Sequence, residues 1–292
     1  MLDAATVRRR FARAAASYAA ASRVEAEAGV RLLERLAMMK VEPRRVLEAG
    51  CGPGRETAAL ARRFRDARIL LVDFALPMLE LARRAPGARP RLWRRPRAAA
   101  VCAVLERLPF APASVELVWC NMVLHWLADP EPVLAEFARV LAPGGLLMLS
   151  TLGPDTLAEL RAAAGEARVH RFYDVHEVGD RLLAAGFADP VAEVERITLV
   201  YADGEGLLSD LRASGQSCAL AARARGLAGR GFLARLQSGL EKARGGGRFA
   251  VTYELVFAHG WKREPVRAAR SERAPVRFHG ARAGAKRGEI DA

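Results

Sequence analysis

Three glycines at alternate positions, Gly50, Gly52 and Gly54, follow an apolar run that carries one acid, Glu48, in the stretch VLEAGCGPG. Glycines at this spacing let backbone N–H groups come close to a ligand, since no side chain stands in the way. Turns of this kind usually hold phosphate, but the neighbouring residues oppose that use. A P-loop closes on Gly-Lys-Ser/Thr, whereas Gly54 is followed by Arg55 and Glu56. A dinucleotide fingerprint counted from Gly50 asks for a third glycine where Arg55 stands. Glu48, read as standing at the mouth of the turn, would repel pyrophosphate and attract a ligand that carries positive charge. Recognition of a cationic small molecule is the chemistry this spacing leaves.

Such a turn has to join a strand to a helix, and the chain around it alternates accordingly. RVLEAG reads as a buried strand and RETAALARRF as the helix after the turn. RILLVD is a second strand with LPMLELARR as its helix, and a third strand falls within Leu92 to Val101. VELVWCN is a fourth. PVLAEFARVL is a helix stopped by APGG, and LLMLST is a strand that begins just after those glycines. A helix is expected over Asp155 to Ala164, and another over VHEVGDRLLAAG, capped by Gly186. VAEVERITLVYA and FAVTYELVFAHGW are late strands, the second with Tyr253, Leu255 and Phe257 on one buried face, and two helical segments lie between them. The expected fold is α/β: a doubly wound, mostly parallel seven-stranded sheet with helices on both faces, the late pair extending it antiparallel. Residues 1–40 are expected to form helices covering the site, residues 41–261 the main domain, and residues 262–292 a basic, disordered tail.

The chain of 292 residues carries 46 Lys and Arg against 33 Asp and Glu, a formal charge of +13, which favours an acidic partner. Arg83 to Arg97 holds seven arginines and no acid, and is read as an exposed loop. The four cysteines, at 51, 102, 120 and 218, show no CxxC pair and no metal-ligand spacing, so a reduced cytoplasm fits and no metal is assigned. The Arg- and Ala-rich N-terminus faintly resembles a transit peptide, but Glu25, Glu27 and its helical periodicity argue for an amphipathic helix. No uncharged run approaches the roughly 20 residues of a membrane span.

The pattern Glu48-x-Gly50-x-Gly52-x-Gly54 resembles the first motif of the class I S-adenosylmethionine-dependent methyltransferases. Their donor carries an ammonium and a sulfonium, which accounts for a carboxylate beside the glycines. The resemblance also asks for an acid at the end of the next strand to accept hydrogen bonds from ribose hydroxyls, and Asp73 meets it. Phe74 would then cover the adenine, with Met78 one turn into the following helix. Read alone, Asp73 is a helix cap and Phe74 a core residue. LERLPFAPASVELVWCN is similar to a third segment of the superfamily. It departs at Val104, where an aspartate for the adenine amino group is usual, so the contact is either missing or taken over by backbone near Leu105. Asn121 ends its strand where doubly wound sheets build their clefts.

RRRFARAAASYAAAS, STLGPDTLAELR, VHRFYDVHEVGDRLLAAGFADPV, LLSDLRASG, ARGLAGR and TYELVFAHGW together resemble the malonyl-acyl-carrier-protein O-methyltransferase family of biotin synthesis, covering most of the chain through Trp261. The activity implied is methyl transfer to the free carboxylate of malonyl-acyl-carrier protein or malonyl-CoA. An ordinary carboxyl titrates at about pH 4, so this one is ionised at neutral pH and no general base is required. Arg171 within HRFYD is the cation the resemblance favours for holding it, with Phe172 shaping the pocket. Tyr18 is the second catalytic candidate, on a helix that folds over the donor site in this family; simple packing on the sheet is the alternative. A monomer is expected, with Arg91, Arg94, Arg95 and Arg97 forming part of a basic rim for the acidic carrier. Two other readings compete. Relatives in respiratory-complex assembly bind the same donor while hydroxylating arginine, and an RNA methyltransferase would use the +13 charge but lacks interleaved surface aromatics.

Overall fold

The computed structural model describes residues 1–88, 98–223, 229–242, 244–245 and 247–264. Of the tail expected over residues 262–292, Lys262 instead closes the last strand, pairing with Phe187, and residues from 265 onward lie outside the described residues, as do Arg91, Arg94, Arg95 and Arg97.

Two helices open the chain, α1 (Ala4–Ala21) and α2 (Arg23–Met38). Asp3 starts the first, its side chain accepting the Thr6 N–H at 3.1 Å. Alternation then begins with β1 (Arg45–Ala49), α3 (Thr57–Arg63), β2 (Arg68–Asp73), α4 (Leu76–Ala82), β3 (Ala98–Cys102) and β4 (Val115–Asn121). It continues through α5 (Glu131–Val140), β5 (Leu141–Leu152), α6 (Ala158–Ala164), α7 (Val175–Ala184) and β6 (Phe187–Tyr201). Helices α8 (Gly204–Ala213) and α9 (Arg230–Lys242), a two-residue β7 (Arg244–Gly245) and β8 (Arg248–Lys262) complete it. The strands lie in the order β3-β2-β1-β4-β5-β8-β6, with β7 paired to β8. β1 to β5 are mutually parallel, and β8 enters antiparallel between β5 and β6. The seven-stranded, mostly parallel expectation therefore holds, with β7 as a small addition.

Two local expectations need correction. β5 starts at Leu141, before the glycines, because Leu141 already pairs with Val115 and the register slips between that pair and Leu117↔Leu146. Gly144 (φ +72°) sits in this bulge, so the glycines interrupt a strand and do not precede it. Asp155 to Leu157 is a turn, not helix. The Asp155 N–H donates to Glu254 Oε2 at 2.9 Å and the Glu254 N–H to Thr156 Oγ1 at 3.0 Å, which ties this segment to β8. Glu159 likewise accepts from the backbone and hydroxyl of Thr252. STLGPDTLAELR and TYELVF, two of the segments that mark the family resemblance, thus dock on each other.

Pleating decides which residues share a face. Val46, Leu71, Leu117, Trp119 and Met148 pack with Leu32, Leu36 and Leu60 on one side of the sheet. Leu47, Val72, Val118, Cys120 and Leu147 pack with Phe137 and Leu182 on the other. Glu48 and Asn121 have the parity of Val46 and Trp119, so they point to the side where α2 and α3 lie. Ion pairs of Arg31 with Glu195 and of Arg35 with Glu193 and Glu195 clip α2 to β6. Among the described residues, no helix is long and apolar enough to cross a membrane.

Candidate active site

A cleft opens at the carboxyl ends of β1, β2 and β4, where the strand order reverses and doubly wound sheets bind their ligands. Gly50 and Gly52 form its floor, Asp73, Phe74 and Met78 one wall, Leu105 and its neighbours Val104 and Glu106 another, and Asn121 to Val123 a third. Phe11 and Tyr18 of α1 and Trp126 bound the remaining side.

Gly50 has φ +66°, and a Cβ there would lie 2.4 Å from Val123 Cγ2, so both conformation and space demand glycine. Gly52 has φ +52°, and its nearest neighbour in the direction of a Cβ is Tyr18 Cε1, 3.9 Å away. Asp73 is 7% exposed; Oδ2 accepts the Gly52 N–H at 2.9 Å and Oδ1 the Ala75 N–H at 2.8 Å. One carboxylate therefore braces the glycine turn and starts α4, while each oxygen keeps a lone pair for a ligand. Burial raises its pKa to about 6, against the lowering effect of the backbone donors.

Glu48 is not at the mouth of the turn. It lies beneath, 1% exposed, with Oε2 accepting from Thr57 Oγ1 at 2.7 Å and Oε1 without a partner. The physical reason is the strand parity noted above: two residues from Val46, it must face α3. Gly54 (φ +78°) also leaves the cleft, turning toward Ala82 of α4. Around Glu48 the same parity gathers further polar groups. Asn121 Nδ2 donates to the Glu25 carbonyl at 3.1 Å and to Glu56 Oε1 at 3.3 Å, while its Oδ1 accepts from Ser150 Oγ at 2.6 Å. Gln216 donates to Glu25 Oε1 at 2.5 Å. Burial first, then the mutual repulsion of Glu48 and Glu56, lifts Glu48 to about 8, and burial lifts Glu56 to about 7.

These raised carboxyls fix a pH dependence. Between the ordinary carboxyl values and about 6 to 8 the native state holds protons that the unfolded chain has released, so stability from this source is full at low pH and is lost as pH rises through that window. The ligand-free protein should melt at a lower temperature at pH 8.5 than at pH 5.5. Glu48→Gln should narrow the gap by raising the pH 8.5 value; a midpoint insensitive to both changes would refute this account.

Tyr18 is half-buried, and its pKa stands well above 10 through burial and the nearby Glu25, Glu56 and Asp73, so its hydroxyl stays protonated and can donate. Phe11 lies edge-on to Tyr18 at 6.1 Å and to Trp126 at 5.2 Å between ring centres. Phe172 is 3% exposed and packs against His170, 4.7 Å away, behind Trp126 and outside the cleft. Arg171 is not brought to the cleft at all: its side chain is 81% exposed and paired with Glu177 at 2.9 Å. In the extended run before α7, His170 and Phe172 are buried and Arg171 points outward to Glu177, which also closes the capping box of α7 with Asp174. Arg171→Gln is accordingly expected to leave kcat/KM within about threefold of wild type, a surface ion pair contributing about 1 kcal/mol or less; a hundredfold loss in a steady-state assay would reverse the assignment.

Of the expected residues, Tyr18, Gly50, Gly52, Asp73, Phe74, Met78, Leu105 and Asn121 meet around one cleft, and Glu48, Gly54, Arg171 and Phe172 do not. Phe11, Met122, Val123 and Trp126 join it unforeseen. Phe11 was legible, since it stands seven residues before Tyr18 on the same helical face. Met122, with φ +58°, directly follows β4 in a conformation a non-glycine residue seldom adopts, its N–H donating to Ser150. Sequence spacing carries no sign of that.

Fold and cleft together define a methyltransferase of the doubly wound class. The family model described as a methyltransferase domain matches residues 47–149. Solved structures show the same fold: the YcgJ protein of Bacillus subtilis (TM-score 0.58, 18% identity, 81% of this chain and 99% of that one) and a SAM-dependent methyltransferase of Thermotoga maritima (0.53, 18%, 88% and 100%). Curated relatives named malonyl-[acyl-carrier protein] O-methyltransferase are 45% identical in Methylovorus sp. (strain MP688), over 95% of both chains, and 44% identical in Halorhodospira halophila, over 96% of both. The chain belongs to the malonyl-[acyl-carrier protein] O-methyltransferase family. S-adenosylmethionine is the methyl donor of this class, and the cleft suits it. It combines a glycine floor, an acid braced at the end of β2 and an apolar wall of Phe74, Met78 and Leu105.

Proposed function

We propose that the protein methylates the free carboxylate of a malonyl thioester carried by acyl-carrier protein, giving the methyl ester that primes biotin synthesis. The observation that carries this reading is the 45% identity with a so-named relative over 95% of both chains. When bound, S-adenosylmethionine supplies a methyl group on a cationic sulfur. Asp73 accepts the ribose hydroxyls, Gly50 and Gly52 let the backbone approach the methionine half, and Phe74, Met78 and Leu105 enclose the adenine. Asn121 lines the cleft at the end of β4, above the buried carboxyls. The acceptor carboxylate arrives ionised, so the protein's part is to strip water from it and to align it. The apolar lining by Phe11, Met122 and Trp126 supports the first task. The protonated Tyr18 hydroxyl donates a hydrogen bond that supports the second. Residues 1–40 act as the cover of this site, and α8 and α9 as an insertion between β6 and β8.

The test is product analysis: with methyl-labelled donor, label should appear on malonyl-acyl-carrier protein as an ester that mild alkali removes. Donor left intact, with no labelled thioester, would discard the reading in favour of the hydroxylating relatives. Val104 supplies a second check. It is 48% exposed at the cleft, where an aspartate would meet the adenine amino group. Val104→Asp should tighten donor binding by about tenfold, a hydrogen bond to a charged group contributing roughly 1.5–3 kcal/mol. Calorimetry showing no gain would mean that backbone near Leu105 already satisfies that group.

A further inference from the structure

Arginines gather on the far side of α1 from the cleft. Arg9 and Arg10, Arg168 from the turn before Val169, and Arg223 beyond α8 line one basin of about 650 Å3, with Asp3 as the acid in its wall. Asp3 is already engaged, capping α1 and standing 3.6 Å from Arg223. Arg9 donates to Thr6 Oγ1 at 3.0 Å, Arg10 to the carbonyls of Ser217 and Cys218, and Arg168 lies over the Phe232 ring at 4.3 Å. Among the described residues none of these three has a carboxylate partner. Burial, then the repulsion of Arg223 and Arg9, lower the pKa of Arg10, with Cys218 and Asp3 acting the other way.

Behind the basin, and sharing Arg168, Ser217 and Cys218 with it, lies an apolar cavity walled by Leu160, Phe172, Leu208 and Leu236. His170 lines that cavity, 9% exposed, with a buried Nε2 that has no partner. Its ring centre is 5.0 Å from that of Trp126, which bounds the donor cleft. Basin, cavity and cleft therefore adjoin, first through Arg168 and then through the His170–Trp126 pair.

We propose that the arginine basin receives the phosphodiester of the phosphopantetheine arm on an acidic carrier protein, with the arm lying in the adjoining cavity and its thioester end at the His170–Trp126 wall. Guanidinium groups bind phosphate oxygens in a bidentate fork, and His170 Nε2 offers the arm's amide or carbonyl groups a buried partner. Arg13 and Arg212 line a shallow hollow that shares Arg10 with the basin. They extend the cationic surface beyond what one phosphate uses, which favours a protein-borne arm over free coenzyme A. The inference rests on the malonyl-thioester reading above.

The test uses the full chain and the double variant Arg9→Gln/Arg168→Gln. Its KM for malonyl-carrier protein should rise about tenfold with kcat within twofold, while a phosphate-free malonyl thioester of N-acetylcysteamine changes less than twofold. Arg168→Lys should recover part of the loss. Equal effects on both thioesters, an unchanged KM for the carrier, or a loss confined to malonyl-CoA would each overturn the proposal. Direct titration separates this from failure of the methylation reading. Whatever the reaction, wild type should bind holo-carrier more tightly than carrier lacking the arm, and the double variant should lose that difference; persistence of the difference would also overturn the proposal.

Discussion

Asp73→Asn is expected to weaken S-adenosylmethionine binding by about a hundredfold or more and to lower kcat/KM at least as far, while the protein remains folded. The carboxylate oxygens each hold one backbone N–H, from Gly52 and Ala75, and each has capacity left for a ribose hydroxyl. The amide turns one acceptor into a donor facing an N–H, and it removes the charge. A hydrogen bond to a charged group contributes roughly 1.5–3 kcal/mol, and two of them account for the factor expected. Folding should suffer less, because the amide also removes a buried charge whose pKa is lifted to about 6. The same value predicts that wild-type donor affinity falls as pH drops below about 6 and that the variant lacks this dependence. Calorimetry giving a dissociation constant within threefold of wild type would refute the role assigned to Asp73.

Gly50→Ala is expected to abolish transfer and to cost the fold about 2–5 kcal/mol. Two independent causes add: a φ of +66° costs an L residue about 1–2 kcal/mol, and overpacking a stiff neighbour costs typically 1–3 kcal/mol. That neighbour is Val123, whose Cγ2 would lie 2.4 Å from the new Cβ and whose branched side chain has little freedom to turn away. Val123→Ala in the same chain should restore the steric part of the stability and leave the conformational part. Urea unfolding of the two single variants and the double one measures the split. Strict additivity would mean the two groups never meet. Donor binding should stay weak in the double variant, because the strained turn still misplaces the Gly52 N–H.

Most of the sheet could be read in advance because strand and helix periods differ and each βαβ unit is local. VELVWCN is β4 residue for residue, and α3, α4 and α7 fall inside their expected spans. Errors came where a distant partner decided the outcome. The turn at Asp155 to Leu157 is fixed by Glu254, about a hundred residues on, and the early start of β5 by Val115.

The candidate site divides along the same line. Sequence alone marked the proposed donor half: the glycine spacing, the acid at the end of the second strand and the asparagine at the end of the fourth each belong to a local strand-turn-helix unit, and all three units end at the same edge of the sheet. Only the tertiary structure decided the rest. It laid α3 over the face to which Glu48 points, turned Arg171 out to Glu177, and brought Met122 and Trp126 to the cleft. It also assembled arginines from positions 9, 10, 168 and 223 into one basin. Those outcomes depend on which helix lies across which face of the sheet, a matter of long-range packing that no spacing of residues along the chain encodes.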